Sequence, residues 1–392
     1  MATDFTVDRD TVKYVLNSSG DIASVAIDTP AIEYNTDGSF KGLLVEPAAT
    51  NVCLQSEDIT TTWGIINATR TANATTAPDG TTTADKLNDD SSTGTGAVAV
   101  RQDITVSAAT KYTASVFLKA DQLAFARLTT ENYDGVTDGG QYFGLSGDGS
   151  LGTATGLDDS TITKYPDGWY RCTITWTQGA ADTSFQLRIY VANSISSLNV
   201  DLDGTSSIFV WGAQVEASPI ATSYIPTTTA SVTRNKDDIS LTGASDLIGQ
   251  SEGTLYVEVD WRLATGTEQI LLDVSDAGFN NRIFIYNRIS PVELRMSVVA
   301  NTVTLFNQGA SSTGLSGIQK IAFAYADADF ELYRNGSSIS SDTTGSLAAL
   351  ATLTDIDLGQ RVDASRQANM WIRAVALYKT RLTNDQLADL TS

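Results

Sequence analysis

Gln186, Arg188 and Tyr190 alternate along the segment SFQLRIYVA, out of phase with Phe185, Leu187, Ile189 and Val191. On an extended strand a two-residue period puts an amide, a guanidinium and a phenol on one face. A polysaccharide asks for those groups: fixed hydrogen-bond partners for its hydroxyls and an aromatic surface for its rings. Arg127 and Glu131 share a face with Thr129 in FARLTTE and extend the row if that strand is a neighbour. Trp169 and Trp63 are further stacking candidates, whereas Trp176 and Trp211 read as core by parity. Against this stands the plainer reading of each residue, an ordinary polar sheet face or a subunit contact. Asn281, Arg282, Tyr286 and Arg288 lie near loops further on, with no spacing that favours them.

Other chemistries are narrowed by what the chain lacks. It has no histidine, which excludes a Ser-His-Asp triad, a Cys-His pair and His-ligated zinc. Its two cysteines cannot make a four-cysteine metal site or a disulfide framework. Cys172 alternates with Tyr170, Ile174 and Trp176 and reads as a buried free thiol. No glycine-rich phosphate loop is present. A carboxylate pair remains, and Glu258-Val-Asp260 is the candidate, although it alternates with an apolar face and reads more simply as the solvated side of an edge or outer strand. Acidic turns at Asp134–Asp138, Asp201–Asp203 and Asp273–Asp276 are candidate calcium ligands, but none matches an EF-hand loop.

The 392 residues suggest two or three domains. With 25 Lys+Arg against 46 Asp+Glu, the net charge is -21. No nucleic-acid partner is expected at that charge, nor docking on an anionic membrane. No apolar stretch approaches the ~20 residues of a membrane helix, so no membrane insertion is expected either. The N-terminal residues show no secretory signal pattern. Hydrophobic residues make up 42%, enough for real cores.

The elements that must position these residues read as strands throughout. Residues 1–50 are a lead-in of short strands with turns at Asn17–Gly20 and Asp37-Gly38. Residues 51–233 hold strands at 98–106, 112–119, 125–131, 140–145, 169–177, 185–192 and 207–216, with no helix between them, which implies an antiparallel sandwich. In the last of these Phe209, Trp211, Ala213 and Val215 fall on one face, and the proline- and threonine-rich stretch to Thr229 closes the domain. Residues 234–250 read as a polar linker. From 251 to 392 a second sandwich follows, with Leu255, Val257, Val259 and Trp261 on one face, a turn at Asn335-Gly336, and a short final helix that Thr383 and Gln386 start with capping-box spacing.

GLLVEPAATN, DGWYR and WGAQVEASPIATSYIPTTTASVTR together resemble a pattern in phage and prophage virion proteins of the tail-fibre and head-fibre kind. There the pattern marks a carbohydrate-binding-like jelly roll preceded by a lead-in segment, and the likeness covers roughly the first 235 residues. The LYRNG hairpin and the closing VALYKTRLTNDQLADL look like a concanavalin A-like or laminin-G-like sandwich. The fold class implied is all-β: an N-terminal β segment, an antiparallel jelly roll, then a concanavalin A-like sandwich. That last fold hosts lectins, hydrolases, lyases and structural modules. One group of its hydrolases carries Glu-x-Asp-x-x-Glu on a strand; here Trp261-Arg262-Leu263 stands where the third acid belongs.

The resemblance implies a virion surface protein, made in the host cytoplasm, on a tail or capsid exterior. Its partners would be host-surface polysaccharide, other virion proteins and copies of itself, most simply in a trimer. Domains of both kinds often carry a structural Ca2+. Two other functions stay open: a polysaccharide depolymerase acting through carboxylates, and a decoration or adaptor protein without a ligand.

Overall fold

A computed structural model describes residues 5–134, 138–262, 268–312 and 316–392. Within them the chain is almost wholly β, with one α-helix at Asn384–Thr391. That helix starts on the expected box: Thr383 Oγ1 accepts from the Gln386 amide and the Gln386 side chain accepts from the Thr383 amide.

The middle sandwich consists of two six-stranded antiparallel sheets. The first runs Ser150–Thr155, Gly139–Gly144, Phe125–Glu131, Ser184–Ala192, Val98–Thr105, Gly64–Ile66. The second runs Asp159–Lys164, Trp169–Thr177, Lys111–Ala120, Ser207–Glu216, Ala84–Asp89, Ala68–Thr75. Alternate apolar residues from both, among them Leu128, Leu187, Ile189, Val116, Ile174 and Trp176, close one core. Cys53 and Cys172 are both free and buried in it.

The strand Ser207–Glu216 departs from its expected parity. Its register with Lys111–Ala120 slips between Ser115 and Phe117, and Gly212 sits at φ +65°. A β-carbon on Gly212 would lie 2.9 Å from Phe117 Cδ2. This bulge rotates the chain by one residue. Ile208 and Val210 before it, and Ala213 and Val215 after it, therefore face the main core. Phe209 and Trp211 point out of the sandwich instead, into a smaller core with Leu16, Ile22, Phe117, Trp169 and Tyr224.

Two seven-stranded sheets form the C-terminal sandwich. One is Thr6–Asp8, Asp238–Leu241, Asp355–Leu358, Gln269–Ser275, Arg282–Ile289, Val292–Ala300, Val303–Ser311. The other is Ser337–Asp342, Asp329–Arg334, Gly317–Ala326, Glu252–Trp261, Met370–Tyr378, Phe40–Val45, Ile32–Tyr34. Leu255, Val257, Val259 and Trp261 face its core as their parity requires. Glu252–Trp261 lies between Gly317–Ala326 and Met370–Tyr378, so Glu258 is on a central strand and not on an edge.

The lead-in is not a separate meander. Its hairpin Lys13–Leu16/Ile22–Val25 lays Leu16 and Ile22 on the middle sandwich, while its strands Thr6–Asp8, Ile32–Tyr34 and Phe40–Val45 complete the C-terminal one. Residues 234–250 likewise contribute the strand Asp238–Leu241 to that sandwich. Val7, Leu43, Val45 and Ile239 supply apolar bulk to the C-terminal core that residues 251–392 do not. Apart from Phe40–Val45 these strands have only three or four residues, too short to show a period, and nothing local says which sandwich they join.

An ion cluster ties these pieces together. Asp237 accepts from Arg9 Nη1 at 2.7 Å, Lys13 Nζ at 2.6 Å and the Glu46 amide at 2.9 Å. Glu46 lies 3.1 Å from Lys13, 3.6 Å from Arg234 and 3.4 Å from Arg262. Burial works to raise the Glu46 carboxyl, but Lys13, Arg234 and Arg262 hold it well below the ordinary carboxylate range.

Candidate functional site

The polar row assembles as the spacing requires. Across neighbouring strands Arg127 faces Tyr190, Thr129 faces Arg188 and Glu131 faces Gln186. On the other side of Ser184–Ala192, Arg101 faces Arg188 and Asp103 faces Gln186. One sheet face thus gathers Arg127, Glu131, Gln186, Arg188 and Tyr190.

The groups hold one another in place. Arg188 donates through Nε to Gln186 Oε1 at 2.5 Å and through Nη1 to the Tyr190 hydroxyl at 2.9 Å. Glu131 Oε2 lies 3.5 Å from Arg188 Nη1, and Glu131 Oε1 accepts from Thr129 Oγ1 at 2.7 Å. Gln186 Nε2 donates to Asp103 Oδ1 at 2.8 Å. Arg127 stacks on Tyr142, its Cζ 4.9 Å from the ring centroid. Gly140 makes this possible: a β-carbon there would meet Arg127 Nη2 at 2.7 Å. Burial, partly offset by the Arg188 hydrogen bond, raises the Tyr190 hydroxyl above its ordinary value. It is therefore neutral at pH 7, and since it accepts from Arg188 its own proton is left to donate.

Exposure changes what the row can offer. The Arg188 and Glu131 side chains keep 22% and 13% of their surface, but Tyr190 as a residue keeps only 5% and Tyr142 8%. The expected open phenol is closed off among its neighbours, so the face presents directed hydrogen bonds more than a stacking platform. Arg101, Asp103 and Tyr142 were missed. Parity along VAVRQDIT and GGQYFG would have placed all three on this side.

Trp169 does not join the face. It is 1% exposed, on the other sheet, and its indole N–H donates to Thr76 O at 3.1 Å. The lead-in hairpin covers that sheet, which nothing local to Trp169 foretells. Trp63 is likewise buried.

The C-terminal candidates are engaged in structural pairs. Arg282 clamps Asp273 with Nε at 3.1 Å and Nη2 at 2.5 Å, Asn281 donates to Asp276, Tyr286 donates to Asn307, and Arg288 pairs with Glu293. Glu258 pairs with Arg373 at 2.8 Å and accepts from the Tyr256 hydroxyl.

The acidic turns were the candidate calcium ligands. Asp273 is taken by Arg282 and Asp203 by Thr205, while residues 135–137 of the Asp134–Asp138 turn lie outside the described residues. Among the described residues no three His, Cys, Asp or Glu side chains are grouped for a metal.

No family model matches the chain, and no curated protein does. Among solved structures, the carbohydrate-binding module CBM40 of a Ruminococcus gnavus IT-sialidase is 14% identical, with 38% of this chain and 87% of that one covered at a TM-score of 0.31. A structure described as showing that cell entry of botulinum neurotoxin type C depends on two ganglioside molecules is 13% identical over 40% of each chain, TM-score 0.33. Trypanosoma rangeli sialidase is 11% identical over 79% of this chain and 60% of its own, TM-score 0.30. Likenesses this weak carry no argument about ligand or activity.

Proposed function

We propose that this chain is a non-catalytic virion surface protein of a phage, a tail- or head-fibre component that attaches to host-surface polysaccharide through the outer face of the middle sandwich. The observation that carries the glycan reading is the row itself. Arg127, Glu131, Gln186, Arg188 and Tyr190 come from two adjacent strands; Arg188 joins Gln186, Tyr190 and Glu131 in one network, and Arg127 is held beside it on Tyr142, before any ligand arrives. A frame held in this way loses little side-chain freedom on binding.

The phage setting rests on the motifs GLLVEPAATN, DGWYR and WGAQVEASPIATSYIPTTTASVTR. In that setting the chain works as a homotrimer beside other virion proteins. Host polysaccharide fragments on an array, paired with an assay for newly released reducing ends, test the function. Saturable binding without release is the expected result. Release would point to a depolymerase, and an array without hits to a decoration protein. Sedimentation at three times the 41.6 kDa chain mass is expected of the trimer.

A further inference from the structure

A second polar site lies where the two sandwiches meet. A cavity of about 260 Å3 opens between the outer face of the second sheet of the middle sandwich and the N-terminal strands of the other. One wall is a row of hydroxyls ending in a cation: Asp159 faces Thr175, Thr161 faces Thr173 and Thr163 faces Arg171 across paired strands. Opposite stand Lys41, Arg262 and Trp371.

Trp371 serves here as a holder of charge. Lys41 Nζ lies 3.5 Å from its ring centroid and Arg262 Cζ 4.7 Å. Its indole N–H donates to Glu33 Oε2 at 2.5 Å. Arg171 donates through Nη2 to Ser115 Oγ at 3.0 Å and Thr222 O at 2.8 Å, while its buried Nε has no partner. Among the described residues, no carboxylate forms an ion pair with Lys41 or Arg171. Behind the wall sits the buried cluster, where Arg9, Lys13 and Arg234 outnumber Glu46 and Asp237. Within the cleft Lys41, Arg171 and Arg262 outnumber the lining carboxylates Glu33 and Asp159, a positive excess in a chain of net charge -21, and low-dielectric walls focus its field on an anion. Burial, opposed by Glu33 and Asp260 and reinforced by Arg262, pulls the Lys41 ammonium below its ordinary value, a strain that a bound anion relieves.

We infer that this cleft binds an acidic saccharide unit, with its carboxylate on Lys41, Arg171 and Arg262 and its hydroxyls on Thr161, Thr163 and Thr173. A volume just under the ~300 Å3 at which small-molecule sites begin suits one sugar residue. The cleft stands apart from the proposed outer face: it lies on the other sheet and shares no residue with the row.

The test is calorimetric titration of the full chain with sodium glucuronate, glucose and inorganic phosphate, on the parent and on Lys41→Met, Lys41→Arg, Thr163→Val and Gln186→Ala. Glucuronate should bind saturably, more weakly as salt rises, and at least about tenfold more tightly than glucose or phosphate. Lys41→Met should cost about tenfold in affinity and Thr163→Val several-fold, while Lys41→Arg retains most of the binding. Gln186→Ala, on the outer face, should leave it unchanged. Absence of saturable binding, phosphate binding as tightly as glucuronate, or full affinity in both Lys41→Met and Thr163→Val would overturn the inference. A loss in Gln186→Ala alone would overturn it too, by moving glucuronate to the outer face.

Discussion

Lys13 Nζ lies 2.6 Å from Asp237 Oδ2 across a sequence separation of 224 residues, with both side chains exposed by no more than 1%. Taking two such charges out of water is costly, and their mutual attraction, helped by Glu46 and Arg9, must offset that cost. The pair therefore makes the lead-in and the strand Asp238–Leu241 parts of one cooperative unit.

Asp237→Ala leaves Arg9 and Lys13 buried without their shared acceptor. Removing one partner of a buried pair typically costs ~3–5 kcal/mol. Urea titration followed by tryptophan fluorescence should show a loss of that order. A shift of under about 1 kcal/mol would mean that water or Glu46 takes over the role of Asp237.

On the outer face, Arg188→Ala and Gln186→Ala should each weaken binding of host polysaccharide while the protein stays folded. A lost charge-assisted hydrogen bond is worth roughly 1.5–3 kcal/mol, about tenfold to hundredfold in affinity. Tyr190→Phe is the proper probe of the phenol, since Tyr190→Ala would also empty a site only 5% exposed. Unchanged titrations in all three variants would leave the face without a ligand.

Asp357 faces Asp273 across adjacent strands, and burial followed by the Asp273 charge pushes its carboxyl up to about 7. In an unfolded chain an aspartate releases its proton near ~3.9. Between the two values the native state holds a proton that the unfolded state has given up, so this group's contribution to stability declines as pH rises from about 4 to about 7. Asp357→Asn should raise the melting temperature at pH 8 and change it little at pH 4. Melting curves of both proteins across that range check the crossover; parallel curves would refute the assignment.

Gly212→Ala forces a side chain onto a residue at φ +65° and against Phe117. A loss of roughly 1–3 kcal/mol is expected, since left-handed backbone disfavours a β-carbon. Near-ultraviolet circular dichroism should change with it, because Phe117 packs edge-on to Trp211 at 5.5 Å. A stable variant with an unchanged spectrum would show that the bulge can migrate.

Long alternating strands were legible in the sequence. Parity along SFQLRIYVA and FARLTTE set the face of Arg188 and of Arg127 within each strand, and the two strands proved to be neighbours, with Arg127 opposite Tyr190 and Thr129 opposite Arg188. Parity failed at Gly212, because one inserted residue reverses every side chain beyond it. The strands Ala68–Thr75, Ser150–Thr155 and Asp159–Lys164 were missed since each is an edge or near-edge strand rich in Ala, Thr, Ser or Gly, with little apolar rhythm to read. The burial of Trp169 and the cleft around Trp371 depend on where the lead-in docks, and contacts made across hundreds of residues leave no local mark.

The weaving of the N-terminal strands into the last sandwich sets a schedule for synthesis. Glu33 meets Trp371 across 338 residues. At ~5–20 residues per second, the strands Ile32–Tyr34 and Phe40–Val45 leave the ribosome about 15–70 seconds before Met370–Tyr378 exists. For that interval their hydrogen-bonding edges and Leu43 and Val45 have no native cover. The nascent chain is exposed to mispairing with its neighbours on a polysome, and yield should respond to chaperone supply and growth temperature far more than the stability of the finished protein does.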